Sequence, residues 1–107
     1  MTINSKQKGK RGEIELSSKL KEYGYNTRRG QQYCGANGDA DVVGLPNMHI
    51  ECKRVEHLNL YNAIAQAKHD KNEKEIPAVF HRKDRCEWLV TITLEDFMKI
   101  YQTSEFN

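Results

Sequence analysis

Two neighbouring apolar segments of the chain carry acidic residues and a lysine at positions that could do chemistry. Asp41 leads into the first segment, and Glu51 and Lys53 lie within the second. Because a strand places alternate side chains on one face, we expect Glu51 and Lys53 to project together, with Ile50 and Cys52 opposite. The two carboxylates would form a hard-oxygen site suited to Mg²⁺ or Mn²⁺. A metal there can polarise a phosphate and activate a water molecule, which is the chemistry of phosphodiester hydrolysis.

The same spacing has a simpler interpretation, a ladder of surface ion pairs on a hairpin that contributes little stability. The metal-site interpretation is favoured by the otherwise apolar hairpin and by the aspartate in the adjacent strand. In that interpretation Lys53 holds the water or stabilises the developing negative charge. Asp39 shares a strand face with Asp41 and is either a further ligand or a loop cap.

A third carboxylate, Glu13, lies far earlier in the chain, in a predicted helix over residues 10–23. Its side chain points into the apolar arc, between Ile14 and Leu20. Carboxylates are rarely buried without a partner, so we expect a cation, a metal or hydrogen-bond donors beside Glu13. The alternative is a partly exposed glutamate stabilised by the helix dipole. Glu15 lies on the opposite side and is expected to be solvated.

The remaining pattern predicts one α/β domain over residues 10–107, after a flexible basic segment over residues 1–9. Gly24 is expected to end the first helix, and Asn59 and Thr93 to cap the later ones. Residues 30–38 are rich in glycine and are predicted to form a loop. The predicted helices are 10–23, 60–71 and 94–101, and the predicted strands are 25–29, 40–45, 48–53, 77–82 and 87–93, in the order α-β-β-β-α-β-β-α.

Size and composition narrow the class of protein. With 107 residues and 37% hydrophobic content, the chain fits one domain with one core. No apolar run approaches the roughly 20 residues of a membrane span, and the first residues carry no signal-peptide core, so we expect a cytoplasmic protein. The three cysteines lack metal-binding spacing, which favours reduced thiols and disfavours structural zinc.

Charge is distributed unevenly along the chain. Residues 1–30 carry eight basic and three acidic side chains, whereas residues 31–107 carry nine basic and twelve acidic ones. A positive end beside an acidic centre indicates contact with a polyanion next to a metal site. A solvated basic tail is the alternative.

The pattern of Glu13, then Gly38-Asp39-Ala40-Asp41, then Glu51-Cys52-Lys53 resembles the PD-(D/E)xK nuclease superfamily. Within it, roughly residues 8–101 are most similar to archaeal-type Holliday junction resolvases and related small phage endonucleases. Arg29 and the Ile76-Pro77 strand add to that likeness. Ala40 stands where a proline commonly precedes the aspartate.

The resemblance implies a restriction-endonuclease-like fold, with a mixed central sheet flanked by helices. It also implies a homodimeric, Mg²⁺-dependent endonuclease acting on branched DNA. Asp41, Glu51 and the main-chain carbonyl of Cys52 would bind the metal, Lys53 would be the catalytic lysine, and Glu13 would complete the site. The residues expected to contact DNA are Lys8, Lys10, Arg11, Arg28, Arg29, Arg54 and Gln66. The alternatives are a nuclease for nicks, flaps or ends, and a DNA-binding module without catalysis.

Overall fold

The computed structural model describes residues 5–31 and 40–106, with side chains from residue 9 onward. Its elements follow the predicted order, which confirms the α/β class. The helices are α1 (Ser5–Glu22), α2 (Leu60–Asp70) and α3 (Leu94–Thr103), and the strands are β1 (Arg28–Arg29), β2 (Val42–Val43), β3 (Met48–Arg54), β4 (Ile76–Arg82) and β5 (Leu89–Thr91).

The strands form one five-stranded mixed sheet in the order β1-β2-β3-β4-β5. Neighbouring strands are antiparallel except β3 and β4, which run parallel with Glu51 opposite Val79. A parallel pair needs a crossover connection, and α2 provides it. The two longest strands, β3 and β4, are thus neighbours within the sheet and not at its edges.

The two faces of the sheet are covered by different helices. Leu16 of α1 belongs to the core cluster that includes Ile50 and Phe80. Val79 alternates with the residues of that cluster along β4, so it points to the other face. It is fully buried there, on the face where α2 buries Ala63.

Local capping follows the predictions. Gly24 adopts a positive φ of 98° just past α1, and its amide donates to the Lys21 carbonyl at 2.9 Å. The Asn59 side chain accepts a hydrogen bond from the Asn62 amide at the start of α2. Thr93 caps α3 in the same way, through the Asp96 amide.

Several boundaries differ from the predictions. Helix α1 begins at Ser5, whereas the sequence predicted a start at residue 10. A single glycine costs a helix only about 1 kcal/mol, and its lysine and glutamine neighbours are good helix formers. Strand β1 is short because only Arg28 and Arg29 pair with β2. The preceding Thr27 contacts α1, where its hydroxyl donates to the Ser17 carbonyl. Cys34, Asp39 and most of the predicted loop lie outside the described residues.

Helix α1 is tied to the sheet by a residue that was expected to be solvated. The Glu15 carboxylate accepts hydrogen bonds from the Arg82 guanidinium and from Trp88 Nε1. It also lies 3.7 Å from Arg54 Nε. The prediction for Glu15 was wrong because its partners come from β3, β4 and the loop after β4, far along the chain.

Candidate functional site

The centre of the candidate site is β3, whose two faces have different environments. Ile50 and Cys52 join the core under α1. The alternate residues His49, Glu51 and Lys53 point to the face covered by α2. Both His49 and Glu51 are buried, with 4% and 7% of their surfaces exposed. The sequence therefore places ionisable groups in the middle of the sheet.

Asp41 is fixed against the main chain of β3. Its Oδ2 accepts a hydrogen bond from the Cys52 amide at 2.8 Å, and its own amide donates to the Ile50 carbonyl at 3.0 Å. The Asp41 carboxylate thus lies beside the peptide that joins Glu51 to Cys52. This backbone contact brings Asp41, just before β2, next to Glu51 and Cys52 of β3.

Glu13 has the cationic partner that its apolar surroundings predicted. Arg29 Nε donates to Glu13 Oε1 at 2.9 Å, and the Glu13 side chain is only 14% exposed. Burial raises the pKa of Glu13 and the Asp41 charge raises it further, while Arg29 and Lys53 lower it. Glu13 therefore interacts electrostatically with both the aspartate and the lysine of the β2–β3 hairpin.

Among the carboxylates of the candidate site, Glu51 has the most strongly raised pKa. Burial raises its pKa from 4.5 to about 7, and the neighbouring Asp41 is the second cause. Lys53 acts in the opposite direction, and Asp70 and Glu13 add to the increase. A site with this excess of carboxylates favours a bound cation.

One group of possible metal ligands was missed by the sequence analysis. His49, Glu51 and Asp70 each offer a ligand atom within 4.8 Å of the other two. Among the described residues it is the one group of three such side chains at this distance. The alternation of His49 with Glu51 is visible in the sequence, but Asp70 comes from the end of α2. Hydrogen bonds from His69 and Gln66 lower the pKa of Asp70.

Some of the residues that were expected to contact DNA are exposed, and others are paired with carboxylates. Lys10, Arg11 and Arg28 are exposed, and Arg29 pairs with Glu13. Arg54 instead points to the α1 face, where its Nη1 lies 2.7 Å from Asp84 Oδ1.

Gln66 and Lys8 were also expected to contact DNA. Gln66 donates to Asp70 Oδ2 at 2.7 Å, so its amide supports a carboxylate near Glu51. The side chain of Lys8 lies outside the described residues.

Comparison with known proteins adds no relative. No family model, no curated protein and no solved structure matches the chain. No helix among the described residues is long and apolar enough to cross a membrane.

Proposed function

We propose that the chain is a Mg²⁺-dependent DNA endonuclease with a restriction-endonuclease-like fold of the PD-(D/E)xK type. One observation carries the proposal: the Asp41 carboxylate is hydrogen-bonded to the β3 backbone next to the buried Glu51. Lys53 follows two residues later on the same face of the strand. Paired carboxylates can hold the metal ion for phosphodiester hydrolysis, and an adjacent lysine can stabilise the charge that develops on the phosphate.

The donor set fits a hard divalent cation. Asp41, Glu51 and the Cys52 carbonyl would hold Mg²⁺, with Mn²⁺ as a substitute, because all three are oxygen ligands. The bound ion would supply Lewis-acid activation of a phosphate and of water. Lys53 would orient that water or stabilise the charge that develops on the phosphate.

Glu13 and Arg29 would form the outer part of this site. Arg29 donates to Glu13 with its Nε, and the rest of the guanidinium is free in this scheme to approach a phosphate of the DNA backbone. Glu13 would hold Arg29 in that position and add negative charge near Asp41. The pair thus links α1 to the chemistry on β3.

The proposed substrate is DNA, most specifically a branched junction. The exposed cations Lys10, Arg11 and Arg28 support contact with a polyanion. A junction-resolving enzyme makes two symmetric cuts, which calls for a homodimer with two-fold symmetry. Selectivity for branched DNA rests on the family resemblance and is the part of the proposal that the assay below tests first.

The decisive experiment is cleavage of a four-way junction and of a linear duplex by the purified protein with Mg²⁺. We expect the junction to be cut in preference to the duplex. We expect Asp41→Asn and Lys53→Ala to slow cleavage by at least about 100-fold while DNA binding persists. The matched control is Lys68→Ala, which removes an exposed lysine from α2 and should leave the rate unchanged.

Each contrary result has a distinct meaning. Equal cutting of junction and duplex would contradict junction selectivity and leave a nuclease of broader specificity. No cleavage of any DNA with Mg²⁺ or Mn²⁺ would overturn the enzyme and favour a DNA-binding module.

A further inference from the structure

The group formed by His49, Glu51 and Asp70 lies on the far side of Glu51 from Lys53. His49 precedes Glu51 by two residues on β3, and Lys53 follows it by two, so the three side chains form a row. Asp70, the last residue of α2, reaches His49 and Glu51 from the covering helix. The group therefore joins two elements that pack on each other.

The Glu51 side chain is largely buried, although its oxygens keep some contact with solvent. It is 7% exposed, and no hydrogen bond or ion pair among the described residues ends on its side chain. A carboxylate that loses most of its hydration without gaining a hydrogen bond is costly, unless a cation lies nearby. A cation between Glu51, His49 and Asp70 would add to the partial compensation that Lys53 provides.

The surroundings of His49 resemble those of a ligating imidazole. Nδ1 of His49 lies 3.5 Å from Glu75 Oε1, in the loop before β4. A carboxylate beside one ring nitrogen commonly orients a metal-binding histidine and makes it a better ligand. A cavity of about 420 Å³, lined by His49, Asp70 and Glu75 among others, connects this side of the sheet to solvent.

We propose that His49, Glu51 and Asp70 bind a second divalent cation of the first transition series, with Glu51 shared between this site and the Asp41 site. The inference rests on the proposed function insofar as Glu51 belongs to both. An imidazole nitrogen among carboxylates favours Mn²⁺ or Zn²⁺ over Mg²⁺, which prefers oxygen ligands. The two sites therefore differ in the metals that they select.

The test counts bound Mn²⁺ per chain, from the electron paramagnetic resonance signal of the free ion during a titration, and repeats the count with excess Mg²⁺. We expect two Mn²⁺ per wild-type chain, one of which Mg²⁺ displaces readily. We expect His49→Gln and Asp70→Asn each to bind one Mn²⁺, and Glu75→Gln to weaken the second site by about 10-fold. His57→Gln, at an exposed histidine just beyond β3, is the matched control.

Asp41→Asn separates the two sites. It should lose the Mn²⁺ that Mg²⁺ displaces and keep the one that depends on His49. A wild-type chain that binds a single Mn²⁺, or His49→Gln and Asp70→Asn variants that bind like the wild type, would overturn the second site. Asp70 is at a helix end, so its variant should fold even if the change at buried His49 does not.

Failure of this inference is distinguishable from failure of the proposed function. Junction cleavage by a chain that binds a single Mn²⁺ would contradict only the proposed second site. Binding of two Mn²⁺ without cleavage of any DNA would contradict the proposed nuclease activity and support the second metal site.

Discussion

At the scale of single residues, the candidate site is defined by carboxylates whose negative charges repel one another. Glu51 is buried beside Asp41, and both causes raise its pKa. Lys53 and Arg29 compensate part of that charge. The folded chain therefore retains an electrostatic cost at Glu51, and strongly perturbed pKa values of this kind cluster at functional sites.

The raised pKa of Glu51 predicts how stability changes with pH in the absence of metal. With a folded pKa of about 7 and an ordinary value of 4.5, the folded protein binds this proton more tightly than the unfolded chain does. The contribution is complete below pH 4.5 and is lost as pH rises through about 7. The free energy of unfolding should therefore fall by up to about 3 kcal/mol over that interval.

The measurement is urea unfolding in EDTA at several pH values. Glu51→Gln, which has no proton to lose, should lack this decline and be more stable than the wild type at pH 8. Glu73→Gln, at an exposed glutamate in the turn before β4, should behave like the wild type. A wild-type stability that rises between pH 5 and 7 would contradict the raised pKa.

At the scale of elements, the close packing of α1 on β3 positions Glu13. A Cβ atom at Gly12 would lie 2.7 Å from Arg54 Cβ, whereas one at Gly9 would meet nothing within 4 Å. Glu13 and Glu15 then leave opposite sides of the helix, towards Arg29 and towards Arg82. The separation between α1 and the sheet thus sets where both carboxylates lie.

This packing predicts opposite effects for two glycine substitutions in the same helix. Gly12→Ala should destabilise the protein by about 1–3 kcal/mol, because the helix or the Arg54 backbone must shift. Gly9→Ala should stabilise it by about 0.5–1 kcal/mol through helix propensity alone. Thermal or urea unfolding measures both.

A displacement of α1 should also change the position of Glu13 in the candidate site. Gly12→Ala is expected to slow cleavage by moving Glu13, while Gly9→Ala is not. Equal stabilisation by both substitutions would show that α1 does not pack this closely on β3.

At the scale of the whole molecule, the sheet and its two covering helices leave α3 exposed. None of the ten residues of α3 is buried. Leu94, Phe97, Met98 and Tyr101 recur at helical spacing and form one apolar arc. Together with the exposed Leu89 of β5, this arc is the surface through which we expect the proposed homodimer to form.

A dimer formed through α3 should be sensitive to charge on that arc. We expect Phe97→Lys to convert a dimer to a monomer, because burying a lysine against a second copy of α3 is costly. Stability of the monomer should change by less than about 1 kcal/mol, since Phe97 is exposed. Sedimentation equilibrium gives the molecular mass.

The matched control for this surface is Tyr61→Lys, at an exposed aromatic residue on α2. It should leave the dimer intact. A wild-type chain that sediments as a monomer at micromolar concentration would contradict the dimer without affecting the site on β3.

The sequence by itself determined the elements and their order. Period-2 alternation predicted β3, and the local hydrogen-bonding capacity of Gly24, Asn59 and Thr93 predicted where helices end or begin, because capping involves residues a few positions apart. The same alternation placed Glu51 and Lys53 on one face. Strand lengths were less predictable, because they depend on pairing with a neighbouring strand, and only two residues of β1 pair with β2.

Only the tertiary structure decided which partners the ionisable residues have. Arg29 pairs with Glu13, Glu15 with Arg82, and Asp70 approaches His49 and Glu51. These contacts join residues from separate elements, so they depend on how helices pack on the sheet and not on local periodicity. A carboxylate in an apolar arc predicts that a partner exists, and only packing determines which residue it is.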